Sequence, residues 1–175
     1  MKIKYLLPVL IVLTACAPVP LGSSASNPKN ITSLGLYDAT VVAPGQTTYV
    51  AITYNASHLN IPEDLFDQEV PINFENQNAI GNVKSLEMPV NWISLKAPEL
   101  PQGWKIDLAR SVLIREIIKT TQTGSSINVR FYDRVKLVYA ITAPNTREAK
   151  SLKFRIDTPK GGGDDIVLLV STEQQ

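Results

Sequence analysis

Apolar and polar residues alternate along most of the second half of the chain, with the period of a strand. Leu152, Phe154 and Ile156 stand against Lys153, Arg155 and Asp157, so this run predicts a strand with one buried face and one charged face in water. Trp104, Ile106 and Leu108 alternate with Lys105, Asp107 and Ala109 in the same way. Asn91, Ile93, Leu95 and Ala97 predict one face of a further strand, with Val90, Trp92, Ser94 and Lys96 on the other, before Pro98 and Pro101 break the chain. The β-rich run Thr47–Asn55 follows a Pro44-Gly45-Gln46 turn. Val112–Thr121 carries Val112, Ile114, Ile117 and Ile118, which partly suit a helical period. Its β-branched content and the Gly124-Ser125-Ser126 turn behind it favour a strand. Ile127–Tyr132, Val135–Ala143, Leu152–Thr158 and Ile166–Thr172 complete the series, and Leu34, Leu36 and Ala39 open it. Short strands punctuated by Pro, Gly and Asn predict an all-β sandwich.

One stretch departs from this pattern. Residues 56–82 form a long irregular excursion, in which Pro62–Gln68 predicts a short helical turn because Pro suits the first helical position and acids suit its positive end. The excursion either covers a sheet or carries binding. The segments 91–109, 135–158 and 166–172, with the Gly103-Trp104 pair and a hydrophobic strand ending at Ala143-Pro144, resemble bacterial immunoglobulin-like domains of envelope and carbohydrate-associated proteins. The resemblance implies an immunoglobulin-like β-sandwich and no catalytic motif.

The N-terminus has a different character. Lys2 and Lys4 precede an apolar stretch, Tyr5 to Leu13, that is too short to span a bilayer as a helix and reads as a signal peptide. Leu13-Thr14-Ala15-Cys16 resembles the bacterial lipoprotein signal, and the chain's single cysteine occupies the position that pattern requires. The resemblance implies cleavage after residue 15, acylation of Cys16 and attachment to a membrane. Ala17-Pro18 lacks the aspartate that resembles an inner-membrane retention signal, which implies the outer membrane of the cell envelope. Residues 16–31, rich in Pro, Ser, Gly and Asn, then predict a flexible tether with a reach on the order of 20 Å. The folded domain is expected over 32–175.

Composition narrows the function. Seventeen Lys and Arg face sixteen Asp and Glu. Loss of the two lysines of the leader leaves the mature part near −1, with neither the basic stripe of a nucleic-acid binder nor a polybasic membrane contact. One Cys excludes an intrachain disulfide, and one His excludes a multi-histidine metal site within the chain. No Gly-x-Ser-x-Gly elbow or phosphate-cradling loop occurs, so the expectation is a non-enzyme needing no cofactor or metal.

Few residues remain as candidates. His58 is a loop side chain, either solvent-facing or a lone ligand or base. Asp164 and Asp165 behind three glycines offer two carboxylates to a weakly held cation, or simply close a hairpin. Glu63, Asp64, Asp67 and Glu69 cluster as a solvated face or a cation site. Trp104 shares a face with Ile106 and Leu108 and is expected in the core. Trp92 lies on the opposite face from Ile93 and Leu95, where an exposed ring would stack on a sugar or anchor a partner. Ile166, Leu168 and Val170 belong to a run that is apolar on both faces, either a central strand or an edge covered by another chain. Two expectations follow: a lipid-anchored structural or assembly module that binds a larger envelope protein complex, or a carbohydrate-binding module using Trp92.

Overall fold

A computed structural model describes residues 23–31, 39–69, 85–123 and 126–172. The strands are β1 (Lys29–Ile31), β2 (Thr40–Val41), β3 (Thr47–Asn55), β4 (Ser85–Val90), β5 (Ser94–Lys96), β6 (Lys105–Thr123), β7 (Ser126–Thr142), β8 (Ala149–Asp157) and β9 (Gly163–Ser171). A 3₁₀ turn at Ala56–Leu59 and the helix α1 (Glu63–Glu69) follow β3. One sheet runs β1-β3-β7-β6-β4 and the other β2-β9-β8-β5. The fold is an all-β sandwich, as the alternation predicted.

The inner faces meet in one core. Val50 and Ile52 of β3 pair with Tyr139 and Leu137 of β7, and oppose Leu152, Phe154 and Ile156 of β8 and Ile166, Leu168 and Val170 of β9. Trp104 is buried with them, its indole N–H donating to Glu148 Oε1 at 2.7 Å. Two phenols also lie inside. The hydroxyls of Tyr54 and Tyr139 are hydrogen-bonded at 3.0 Å, and the Tyr139 ring meets Phe154 edge-on at 5.2 Å. Burial pushes the Tyr54 pKa up to about 12, because a phenolate there would lose its water.

Several elements differ from their predicted form, each for a physical reason. The runs expected around Trp104–Leu108 and over Val112–Thr121 belong to one strand, β6, which starts at Lys105 and has a bulge between Leu108 and Arg110. The extra residue shifts the phase, so Leu108 pairs with Tyr139 and Leu113 with Val135 on the same inner face although they are five apart. Ile127–Tyr132 and Val135–Ala143 are likewise a single β7. The Asp133-Arg134 doublet that reads as an interruption is instead held in ion pairs within the sheet. The expected strand around Asn91–Ala97 shrinks to Ser94–Lys96, because the chain crosses there from β4 in one sheet to β5 in the other. β4 itself ends the first sheet beside β6, an edge position that tolerates Pro89.

The last part of the segment 16–31, expected to be a tether, holds a strand. Lys29–Ile31 pairs in parallel with Val50–Ile52, and the Tyr49 N–H donates to Ser23 Oγ at 2.6 Å. The edge of β3 supplies backbone groups that this polar segment satisfies. Pro62–Gln68 forms α1 nearly as predicted, with Phe66 fully buried. Residues 70–82 of the excursion, together with Cys16, Leu34 and Leu36, lie outside the described residues.

Candidate functional site: the β6–β7 arm and its root

β6 and β7 are 19 and 17 residues long, about twice the nine of β3, β8 or β9. Among the described residues β4 pairs with β6 as far as Glu116, opposite Ser85, where the described stretch 85–123 begins, and β3 follows β7 only as far as Arg134, opposite Asn55. Past those points Ile117–Thr123 and Ser126–Phe131 pair with each other alone among the described strands. The result is a two-stranded arm about 23 Å long at the usual rise per residue. Thr123 pairs with Ser126, so the ribbon closes at the turn expected from Gly124-Ser125, two residues that lie outside the described set. A second bulge, between Ile117 and Lys119, bends and twists the ribbon where it leaves the sandwich.

A two-stranded ribbon is marginal on its own, and this one is clamped at its root on both faces. On the inner face Arg115 is 2% exposed. Its Nε and Nη2 donate to the two carboxylate oxygens of Asp133 at 2.9 and 2.8 Å, and its Nη1 donates to Asp67 of α1 at 2.7 Å. The guanidinium carbon lies 4.6 Å from the Phe131 ring centroid and 5.5 Å from that of Phe66. A planar cation with a bidentate acid and two aromatic neighbours is the geometry in which arginine tolerates loss of water. The hydrogen bonds to Asp133 raise the Arg115 pKa against the opposing effect of burial, so the group stays charged.

The outer face carries a lighter version. Arg134 Nη2 donates to Glu116 at 2.8 Å, and its guanidinium lies 5.3 Å from the Tyr132 ring. The Tyr132 hydroxyl donates to Asn55 Oδ1, tying β7 to the end of β3. Arg115 pairs in register with Asp133, and Glu116 with Tyr132. One short stretch of ladder therefore builds both clamps.

These contacts account for most of the acidic cluster. Asp67 meets Arg115, Asp64 bonds to Lys160, and Glu69 accepts from the Trp92 indole at 3.3 Å. The Lys160 hydrogen bond holds the Asp64 carboxyl below the usual carboxylate range. Among the described residues no three acid, His or Cys side chains converge as a metal site.

The residues singled out from sequence fall elsewhere. Trp92 is half-buried and packed against the core, a seam between α1 and the β4–β5 crossing. The expected free stacking platform is thereby corrected. Ile166, Leu168 and Val170 are 5%, 6% and 0% exposed, so they are interior residues and present no partner surface. The apolar neighbour that does face out is Val167, 48% exposed. Asp165 pairs with Arg155, and Asp164 accepts from the Asp165 backbone N–H. The glycines close the β8–β9 hairpin. Gly163 has φ 125°, and a Cβ there would sit 2.0 Å from the Ile156 carbonyl oxygen. The hairpin alternative therefore describes Gly161–Asp165, with no third donor near the two carboxylates among the described residues. His58 lies exposed in the 3₁₀ turn.

At the far end of β6 a cleft of about 590 Å³ opens toward β5. Ile93, Leu95, Leu100, Ile106 and Leu108 make its apolar wall, with Lys105 and Asp107 at the rim.

The sequence reading missed Arg115, Asp133 and their aromatic neighbours. A signal for them exists: Arg115-Glu116 and Asp133-Arg134 are opposite-charge doublets placed almost symmetrically about the Gly124-Ser125 turn. No protein-family description, curated protein or solved structure matches the chain.

Proposed function

We propose that this chain is a lipid-anchored envelope protein that acts as an assembly module, docking on a larger envelope protein complex through the β6–β7 arm. The observation that carries the reading is the arm itself, extended past β3 and past the described part of β4, and clamped at its root by Arg115. Such bracing helps a two-stranded ribbon, marginal on its own, to hold a shape away from the core. The anchor rests on Leu13-Thr14-Ala15-Cys16, with the sole cysteine at the acylated position, and the outer membrane on Ala17-Pro18. The module binds rather than catalyses: Arg115, Asp133, Asp67, Arg134 and Glu116 are spent on one another.

An immunoglobulin-like assignment is supported by strand order. Taking β3, β5, β6, β7, β8 and β9 as B to G gives B-E-D neighbours in one sheet and C-F-G in the other. The parallel pair of β2 with β9 and the β4 edge are additions to that frame.

Three chains test the proposal by membrane fractionation and native sizing in detergent. The full protein is expected in the membrane fraction and larger than a monomer. Cys16→Ser should move to the soluble fraction. A chain lacking residues 119–123 and 126–130, with the Gly124-Ser125 turn kept, should stay in the membrane but size as a monomer. If it remains in the large species, the arm is not the docking element.

A further inference from the structure

We infer that the anchor and the arm leave opposite ends of the sandwich, so that the arm is carried away from the bilayer holding the chain and takes a protein partner that stands off that bilayer. The inference rests on the assembly reading above and adds where the partner lies.

Three observations lead there. First, the chain enters the fold at the end of the sandwich remote from the arm. Ser23 Oγ accepts from the Tyr49 N–H, and Lys29–Ile31 runs in parallel beside Val50–Ile52, in the direction in which β3 runs toward Asn55 and the root of the arm. Between these points Ser24 and Asn27 exchange backbone hydrogen bonds at 3.2 and 3.1 Å, and the Asn27 N–H also donates to Ser24 Oγ. The entry is thereby pinned near the row formed by Thr47, Thr142 and Lys105, where β3 and β6 begin and β7 ends.

Second, two lengths differ. From Ala140, which faces Tyr49 across the ladder, to Ser126 at the tip, β7 spans fourteen residues, about 46 Å at the usual rise. Cys16 is seven residues from Ser23, a leash of at most about 25 Å whatever path it takes. The tip of an upright domain therefore stands about 46–70 Å from the bilayer, depending on how far the leash is drawn out.

Third, neither broad face of the sandwich draws the arm down. On the outer face of the second sheet Lys96 and Arg155 are paired with Asp157 and Asp165. On that of the first sheet Arg110, Arg134 and Lys136 share their face with Glu87, Asp107 and Glu116. Attraction to anionic headgroups takes a cluster of Lys and Arg, and here acids stand among the cations.

Energy transfer to acceptor-labelled lipids tests this with the acylated full chain in vesicles. One preparation carries a donor at Gln46, exposed beside the entry, and another carries it at Thr123, exposed near the tip. Transfer to a plane of acceptors falls steeply with height, so at least fivefold more is expected from position 46. Equal transfer from the two positions overturns the inference, because the arm then lies along the bilayer. The native complex, carried into nanodiscs of the same lipids, tests the partner: transfer from position 123 should stay as low as in the free protein. A rise to the level found at position 46 also overturns the inference, since the arm then bends to a partner flush with the membrane. A chain that fails to hold to the vesicles shows no transfer from either position; that outcome removes the anchor reading and this inference with it, whereas equal transfer from a retained chain leaves the anchor standing.

Discussion

The sandwich and the arm are built from the same two strands and held by different forces. Where β6 and β7 lie under the second sheet, their inner positions are Ile106, Leu113, Leu137, Tyr139 and Ile141, all in the shared apolar core. Where they outrun that sheet, the inner positions become Arg115, Ile117, Phe131 and Asp133, and the cover comes from Phe66 and Asp67 of α1. A strand that leaves its partner sheet loses the area that made its apolar face favourable. An ion pair with defined geometry replaces that area here, and geometry rather than burial then sets the direction of the ribbon.

This contrast is sharpest under substitution. Leu137→Ala, at a fully buried site, should cost about 2–5 kcal/mol and lower the urea midpoint of the whole domain. Asp133→Ala removes the bidentate partner of a buried guanidinium and should cost about 3 kcal/mol. Its effect should be local, with amide exchange speeding up along the arm and little change in β8 and β9. Uniform loss across the domain would erase the distinction between the two regions.

Alkali attacks the sandwich and spares the clamp. The Tyr54 hydroxyl ionises near 10 in an unfolded chain and near 12 in the fold. The folded state keeps a proton that the unfolded chain has released, so this contribution is complete below pH 10 and is lost as pH rises toward 12. The loss is on the order of 2–3 kcal/mol. Tyr54→Phe should make that limb of the stability profile shallower, read by denaturant unfolding at each pH, with the remainder left by Tyr139, whose pKa burial also raises. Arg115 stays protonated throughout, so arm protection should outlast the decline until the domain itself unfolds.

The smallest effect belongs to the outer end of the same clamp. Asp67 is 64% exposed, and Asp67→Asn should cost less than about 1 kcal/mol. Thermal unfolding should barely register it. A cost equal to that of Asp133→Ala would mean that α1, rather than β7, fixes the guanidinium.

Leu152–Thr158 is legible in the sequence because each face of the strand keeps one environment along its length. Thr47–Asn55 is legible from its β-branched and aromatic content, although Ala51 on the outer face is buried too. β6 was harder to read. Val112, Leu113 and Ile114 are buried on both faces and a second bulge at Ile117/Lys119 shifts the phase, which gives Val112–Ile118 a partly helical look. Charged doublets were harder still. Arg115 meets Asp133 across 18 residues and Asp67 across 48, and local apolarity carries no trace of such pairings. Ile166, Leu168 and Val170 drew attention for being apolar, which is the property that buried them.

The central claim is that the arm, and not the sandwich surface, meets the partner. A photo-cross-linking residue placed at Thr123, exposed near the tip of the arm, or at Val167, exposed on β9, tests it in intact cells. Illumination should give one discrete higher-mass adduct from position 123 and none from 167. Adducts from 167 with none from 123 would contradict the account.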